Sequence, residues 1–239
     1  MIISHSKKYI FFKPVKTAGT SVEYSLSKSI SPIDLWTGIT HPPDREGLSP
    51  QEYMMRRNSI GKRCIFYEHT SPAQLNTIST TLNACWKDYK KITMIRNPYD
   101  LLVSYYWWIY DKNEDELMPL PADSMNQIAE KFEKKIESVC CFRTDDEIPE
   151  YNLQCVDWLS QKTLKFCDDN IDFFIRYENL NEDFKHVCSM IDVESVELLR
   201  FKSKVRKRNE PYQEYYTPYS KILVKKYFGE IISRFGYEF

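Results

Sequence analysis

The apolar run Tyr9-Ile10-Phe11-Phe12 passes directly into Lys13-Pro14-Val15-Lys16-Thr17-Ala18-Gly19-Thr20-Ser21, and a helix-like segment, Val22 to Ser29, follows at once. A strand, a tight loop and a helix start in that order form a ready anion site. The first backbone N–H groups of a helix have no intrahelical acceptor and point outward. Lys16 adds a point charge; Thr17, Thr20 and Ser21 add hydroxyl donors. The chain has only six glycines, so Gly19 inside this loop carries more weight than it would in a glycine-rich protein. The nucleoside-triphosphate loop, G-x-x-x-x-G-K-[ST], puts its lysine after the last glycine. Here Lys16 precedes Gly19, and no acidic partner for magnesium is evident.

A second segment repeats the logic. Lys91-Ile92-Thr93-Met94-Ile95 reads as a buried strand ending at Arg96-Asn97-Pro98-Tyr99-Asp100. Asn97 suits an N-cap and Pro98 the first helical position. Arg96 then sits at a strand's carboxyl end, and Ser104 lies on the following helix. An arginine fork and a hydroxyl can together grip a phosphate.

These residues resemble the sulfotransferase family. Lys16-Thr17-Ala18-Gly19-Thr20-Ser21 is similar to its 5′-phosphosulfate loop, P-K-T-[AG]-G-T-S in the carbohydrate branch. Arg96-Asn97-Pro98-Tyr99 with Ser104 is similar to its 3′-phosphate motif. Arg176-Tyr177-Glu178-Asn179-Leu180, Tyr215-Tyr216-Thr217 and the closing Phe235-Gly236-Tyr237-Glu238-Phe239 also look like family elements, so the resemblance spans nearly the whole chain. The family has proline directly before the lysine and often histidine three places before it. Here Val15 precedes Lys16, Pro14 stands one place early, and Lys13 takes the histidine's place.

Apolar strand candidates recur at Tyr9–Phe12, Cys64–Tyr67, Ile92–Ile95 and Asp172–Ile175. Helical patterns lie between them at Ser21–Ser29, Pro72–Cys85, Pro98–Tyr110 and Ser124–Val139. Alternating strands and helices predict an α/β fold: three layers, with a mainly parallel central sheet flanked by helices. Such sheets bind ligands at the carboxyl ends of their strands, where both anion motifs fall. A chain of 239 residues is expected to form one domain, residues 1–239. His5 is read as preceding the first strand at a ragged terminus, and Asn179 as a cap for the helix that runs through Ile191. The long polar stretches Ser31–Ile60 and Asp111–Ser124 are read as lids or substrate walls. Tyr105, Trp107, Trp108 and Tyr110 are read as core at helical spacing, with a sugar-stacking wall as the alternative.

The net charge of −1 gives no field that would attract nucleic acid. No stretch reaches the ~18–20 apolar residues of a membrane span, and the early first strand leaves no room for a signal peptide, so the expected compartment is the cytoplasm. Cys64, Cys85, Cys140, Cys141, Cys155, Cys167 and Cys188 show no CxxC pair, so reduced, buried thiols are expected rather than a zinc site.

The resemblance implies 3′-phosphoadenosine-5′-phosphosulfate as donor and a metal-independent O-sulfotransferase acting on a hydroxyl of a carbohydrate or small molecule. Lys16 is assigned to the leaving phosphate oxygen, and Thr17, Ala18, Gly19, Thr20 and Ser21 to the 5′ end. Arg96 and Ser104 are assigned to the 3′-phosphate. Arg206 or Lys207, in the basic run before the last helix, is assigned to the nucleotide. His69, after the Cys64–Tyr67 strand, is the candidate base, with Glu68 orienting it or acting instead. His41 is assigned to the acceptor. Two other classes stay open: a kinase-like phosphotransferase and a non-catalytic nucleotide-binding protein of the same fold.

Overall fold

The computed structural model describes residues 1–37, 69–78, 87–110, 117–138, 155–199 and 206–239. In chain order its elements are β1 (Ile2–Ser4), β2 (Tyr9–Phe11), α1 (Gly19–Ser27), β3 (Leu35–Trp36), α2 (Pro72–Ile78), β4 (Lys90–Ile95), α3 (Pro98–Tyr110), α4 (Met125–Glu137), α5 (Cys155–Leu164), β5 (Phe173–Arg176), α6 (Leu180–Met190) and α7 (Pro218–Phe235). Short 3-10 turns occupy Tyr177–Asn179 and Tyr212–Tyr215. The chain divides into two compact units. One joins Met1–Arg96 to Lys165–Ser203; the other joins Asn97–Leu164 to Lys204–Phe239.

The first unit holds a sheet of order β3-β1-β2-β4-β5. The pairs β2–β4 and β4–β5 are parallel, whereas β1 runs antiparallel to both β2 and β3. The sheet is therefore mixed, with parallel central pairs, rather than mainly parallel throughout. The reason lies in the connections. Only His5–Lys8 joins β1 to β2, and so short a link can only reverse the chain; a parallel neighbour needs a crossover of about a dozen residues.

The chain start is thus ordered as β1, not ragged. Asp34 pins the turn by accepting from Ser6 N–H (2.9 Å), Ser6 Oγ (2.8 Å), Ser4 Oγ (3.1 Å) and Ser31 N–H (2.8 Å). His5 Nδ1 lies 2.9 Å from the Tyr89 hydroxyl.

Strand alternation sends Tyr9 and Phe11 to one face, against Val22 and Leu26 of α1 and Phe184 and Val187 of α6. Ile10 and Phe12 face the other way, toward Leu75 of α2, Phe166 and Ile171. Helices therefore cover both faces of this sheet. Each fully buried side chain of this size contributes about 1.5–3 kcal/mol. Cys167 and Cys188 are buried thiols, and burial pushes the Cys188 thiol up to about 11.

The second unit is helical. Tyr105 and Trp107 of α3 are buried, while Trp108 is partly exposed, so the α3 aromatics are mainly core. Ile128, Phe132 and Ile136 recur every four residues along α4 and bury one stripe. Phe132 meets Tyr106, Tyr215 and Tyr216 edge-on. Reciprocal capping boxes start α4 at Ser124 and α7 at Thr217, and Gly236 ends α7 in the left-handed conformation that glycine adopts freely. No described helix is long and apolar enough to cross a membrane.

Candidate functional site

Parallel pairing brings the carboxyl ends of β2, β4 and β5 to one edge of the first unit's sheet. The loop after β2 follows Phe11, Arg96 follows Ile95, and Tyr177 follows Arg176. The loop backbone is unusual. Lys16 (φ 61°) and Ala18 (φ 64°) both adopt the left-handed conformation, which costs a residue with a Cβ about 1–2 kcal/mol. Non-glycine residues of this kind cluster at functional sites. The Thr17 hydroxyl donates to the Pro14 carbonyl at 3.2 Å, which folds the loop back on itself. Ala18 is the N-cap of α1 and has no side chain that can cap; the first turn holds no acidic residue. The helix start, with its positive end of the backbone dipole, thus carries no built-in anion.

Arg96 is buried at 7% exposure. Its Nη1 donates to the Lys16 carbonyl at 2.9 Å, and its guanidinium lies 3.8 Å from the Tyr177 ring centroid. The arginine is therefore held against the anion loop on one side and stacked on an aromatic ring on the other.

The two lysines of the loop differ. Lys13 is 4% exposed, and its Nζ sits 2.7 Å from Oε2 of Glu23, which is fully buried. The Met1 ammonium (2.7 Å) and Trp36 Nε1 (3.1 Å) donate to the other Glu23 oxygen. Burial alone would raise the pKa of Glu23. The Met1 ammonium and Lys13 outweigh it and hold the carboxyl below its ordinary value. Gly19 packs directly on the Lys13 stem: a Cβ at position 19 would lie 2.6 Å from Lys13 Cγ. Lys16, by contrast, is partly exposed.

His69 Nδ1 lies 2.7 Å from the Lys13 carbonyl oxygen. A carbonyl only accepts, so Nδ1 carries the proton and neutral His69 keeps its lone pair on Nε2. Ser71 caps α2, exchanging hydrogen bonds with Gln74 (2.9 and 3.4 Å).

In the second unit Asn97 caps α3 by accepting from Tyr99 N–H at 3.0 Å, and its Nδ2 donates to the Glu238 carbonyl at 2.8 Å. Ser104 is partly exposed on α3, one turn beyond Asp100. Arg206 Nη1 lies 3.7 Å from Asp100 Oδ1, Nη2 donates to the Glu210 carbonyl, and the guanidinium lies 5.2 Å from the Tyr215 ring. Residues four apart on a helix are neighbours, so the Arg206 cation borders the helix face that carries Ser104. Lys207 is exposed.

A family model described as the sulfotransferase family matches residues 2–238. The chain belongs to the sulfotransferase family. No curated protein and no solved structure matches it in the searches made. The sulfotransferase match runs through both units, and hence through every residue assigned from the sequence. Of those, Lys16, Thr17, Ala18, Gly19, Thr20, Ser21, His69 and Arg96 lie in the first unit, and Ser104, Arg206 and Lys207 in the second. Glu68 and His41 lie outside the described residues, as do the Cys64–Tyr67 strand and Lys202–Val205.

Two features of this sulfotransferase were not assigned a role from sequence, and one assigned role is not found. Tyr177 stacks on Arg96; its signal was its place one residue past a strand parallel to β4. The Lys13–Glu23 pair is buried; its signals were a lysine between Phe12 and Pro14, and a glutamate between Val22 and Tyr24. Asn179, expected to cap α6, makes no side-chain cap. Its Nδ2 donates to Asp183 (2.7 Å), and Asp183 also accepts from Arg176 N–H (2.7 Å). Among the described residues, no cluster of three or more His, Cys, Asp or Glu groups could hold a metal ion.

Proposed function

We propose that this sulfotransferase moves a sulfuryl group from 3′-phosphoadenosine-5′-phosphosulfate to a hydroxyl of a carbohydrate. The observation that carries the reading is the loop edge of the first unit. An uncapped helix start, two left-handed residues and a buried arginine bound to the Lys16 carbonyl converge there. Backbone N–H groups in such a turn form a concave anion receptor. The carbohydrate acceptor rests on the likeness of Lys16–Ser21 to the carbohydrate branch. Because the family match runs through both units, we also read residues 1–239 as one functional domain.

The chemistry follows from these positions. In-line transfer forms a bond from the acceptor oxygen to sulfur and breaks the bond from sulfur to the donor's phosphate oxygen. Lys16 neutralises the charge that builds on that leaving oxygen. The amides of Ala18 to Ser21, with the Thr17, Thr20 and Ser21 hydroxyls, hold the 5′ end. Arg96 and Ser104 hold the 3′-phosphate, with Arg206 and Lys207 adding positive charge. His69 takes the acceptor's proton on Nε2, the atom left basic by the Nδ1–H bond to Lys13. Burial of Lys13 on Glu23 supports Lys16, rather than Lys13, as the sulfonate-facing cation.

The test is calorimetric binding of 3′-phosphoadenosine-5′-phosphate, with 5′-AMP and ATP alongside and no added metal. Binding should need the 3′-phosphate and should weaken roughly 10- to 100-fold in Arg96→Ala, the loss of one or two charged hydrogen bonds. Equal binding of ATP would overturn the reading in favour of a kinase-like protein. Tight binding without transfer to any acceptor in a screen of glycans and small hydroxyl compounds would leave a non-catalytic binder.

A further inference from the structure

Lys13 stands where the family places histidine, and its side chain is buried against Glu23. It is clamped along its whole length. At its backbone, Phe12 N–H donates to the Ile92 carbonyl at 2.8 Å, which extends the β2–β4 pairing to the residue before Lys13. Along its stem, Cγ fills the space that a side chain at position 19 would need. At its tip, Nζ pairs with Glu23 on α1 at 2.7 Å, with both groups out of solvent. Its carbonyl is the acceptor for His69 Nδ1–H at 2.7 Å. One residue therefore follows directly on the β2–β4 pairing and touches the helix that opens the anion site, the glycine of the loop and the histidine proposed as base.

We propose that Lys13 is a positioning residue: its buried pair with Glu23 fixes the Lys13 carbonyl, and that carbonyl selects the Nδ1–H tautomer and the orientation of the His69 ring. The physical argument is one of alternatives. A histidine without a partner for Nδ1 exchanges between its two neutral forms, and in the other form Nε2 carries the proton and cannot accept one. A carbonyl held at hydrogen-bond distance removes that alternative. The carbonyl stays there only if residue 13 cannot rotate. A buried charge pair resists rotation strongly, because separating the charges leaves each uncompensated in the interior. The catalytic meaning of this assignment rests on the reading of His69 as base, but the assignment of the tautomer itself does not.

The experiment is nitrogen-15 NMR of the His69 imidazole in the full chain, at a pH where the ring is neutral. The variants are Glu23→Gln, which keeps the hydrogen-bonding shape and removes the charge, and Lys13→Met, which keeps the stem and removes the ammonium. Wild type should show a single Nδ1–H form. Either folded variant should show a mixture of both tautomers. Its binding of 3′-phosphoadenosine-5′-phosphate should stay within about two-fold, because Arg96 and the loop amides are untouched, whereas a general loosening of the loop would lower donor affinity as well. Lys13→Arg, which restores a cation, should restore the single form. A wild-type ring protonated on Nε2, or an unchanged Nδ1–H form in both folded variants, would overturn the proposal. If one variant does not fold, the other decides. Turnover of His69→Ala is read in parallel: wild-type turnover there removes the base role and leaves the tautomer result standing on its own.

Discussion

The starts of α1 and α3 are built on opposite principles. Both follow a strand of the sheet through a short connection, and both lie in motifs that the sequence marks as anion-binding. Yet α3 supplies its own cap: Asn97 accepts from Tyr99 N–H, and Asp100 sits in the first turn. At α1 the cap position is Ala18, and the first turn has no acid. Among the described helices α1 alone lacks both; α2, α4 and α7 have capping side chains, and α5 and α6 carry first-turn acids. A helix start left open forgoes about 1 kcal/mol of capping stabilisation. Where every comparable start is closed, the open one is where the donor proposed above would place its charge. In the proposed reading Arg96 contacts the donor through its side chain, while α1 does so through its backbone.

The sharpest way to test that difference is through turnover. His69→Ala should lower the transfer rate by ~10²–10⁴ with little change in donor affinity, measured as kcat beside calorimetric binding. Lys16→Ala should lower kcat by ~10²–10³, the loss expected for one donor that faces charge developing in the transition state. Next comes closure of the open start. Ala18→Asp supplies α1 with a carboxylate, so binding of 3′-phosphoadenosine-5′-phosphate should fall roughly 10- to 100-fold while thermal stability holds, since aspartate tolerates the left-handed backbone better than alanine. Unchanged binding in that variant would break the distinction between the two helix starts. The smallest effect belongs to a closed start: Ser124→Ala should cost α4 about 1 kcal/mol in denaturant unfolding and leave nucleotide binding alone.

Acid should find the first unit's buried carboxylates. Burial by itself would raise the Asp34 carboxyl, but hydrogen bonds from Ser31 and Ser6 outweigh it and hold the folded pKa below the ordinary value. A depressed folded pKa means that the unfolded chain binds more protons in acid. Its contribution to stability is therefore fully present above the unfolded aspartate value of about 3.9 and is lost as pH falls through the lower folded value. Glu23 behaves in the same sense. Thermal unfolding followed from neutral pH downward should show the loss, and Asp34→Asn should flatten it.

Much of this was legible in the sequence. The strands β2 and β4 read as apolar runs because central strands bury both faces, and Asn97-Pro98 announces α3 to the residue. The turn between β2 and α1 was legible from its hydroxyls and single glycine. Strand β1 was not, because Ile2–Ser4 is too short to show a period, and with it went the mixed character of the sheet. The buried Lys13–Glu23 pair was hidden for a different reason. A charged residue reads as surface until its partner is known, and these two are separated by the whole anion loop. Tyr177 was visible as part of a family-like string, but its stacking on Arg96 depends on strand order, which no single segment encodes.

The contact between Gly19 and the Lys13 stem makes those two positions a single mutational unit. Gly19→Ala in the present chain drives a Cβ to 2.6 Å from Lys13 Cγ, so something must move. In a chain already carrying Lys13→Ala the same methyl meets only the Cβ at position 13, at an ordinary contact distance of 3.6 Å. The two substitutions should therefore show sign epistasis in loop geometry, the second relieving the crowding that the first creates. Any survey of related chains has a concrete pattern to look for: a side chain at the glycine position should appear only where the residue six places earlier is short.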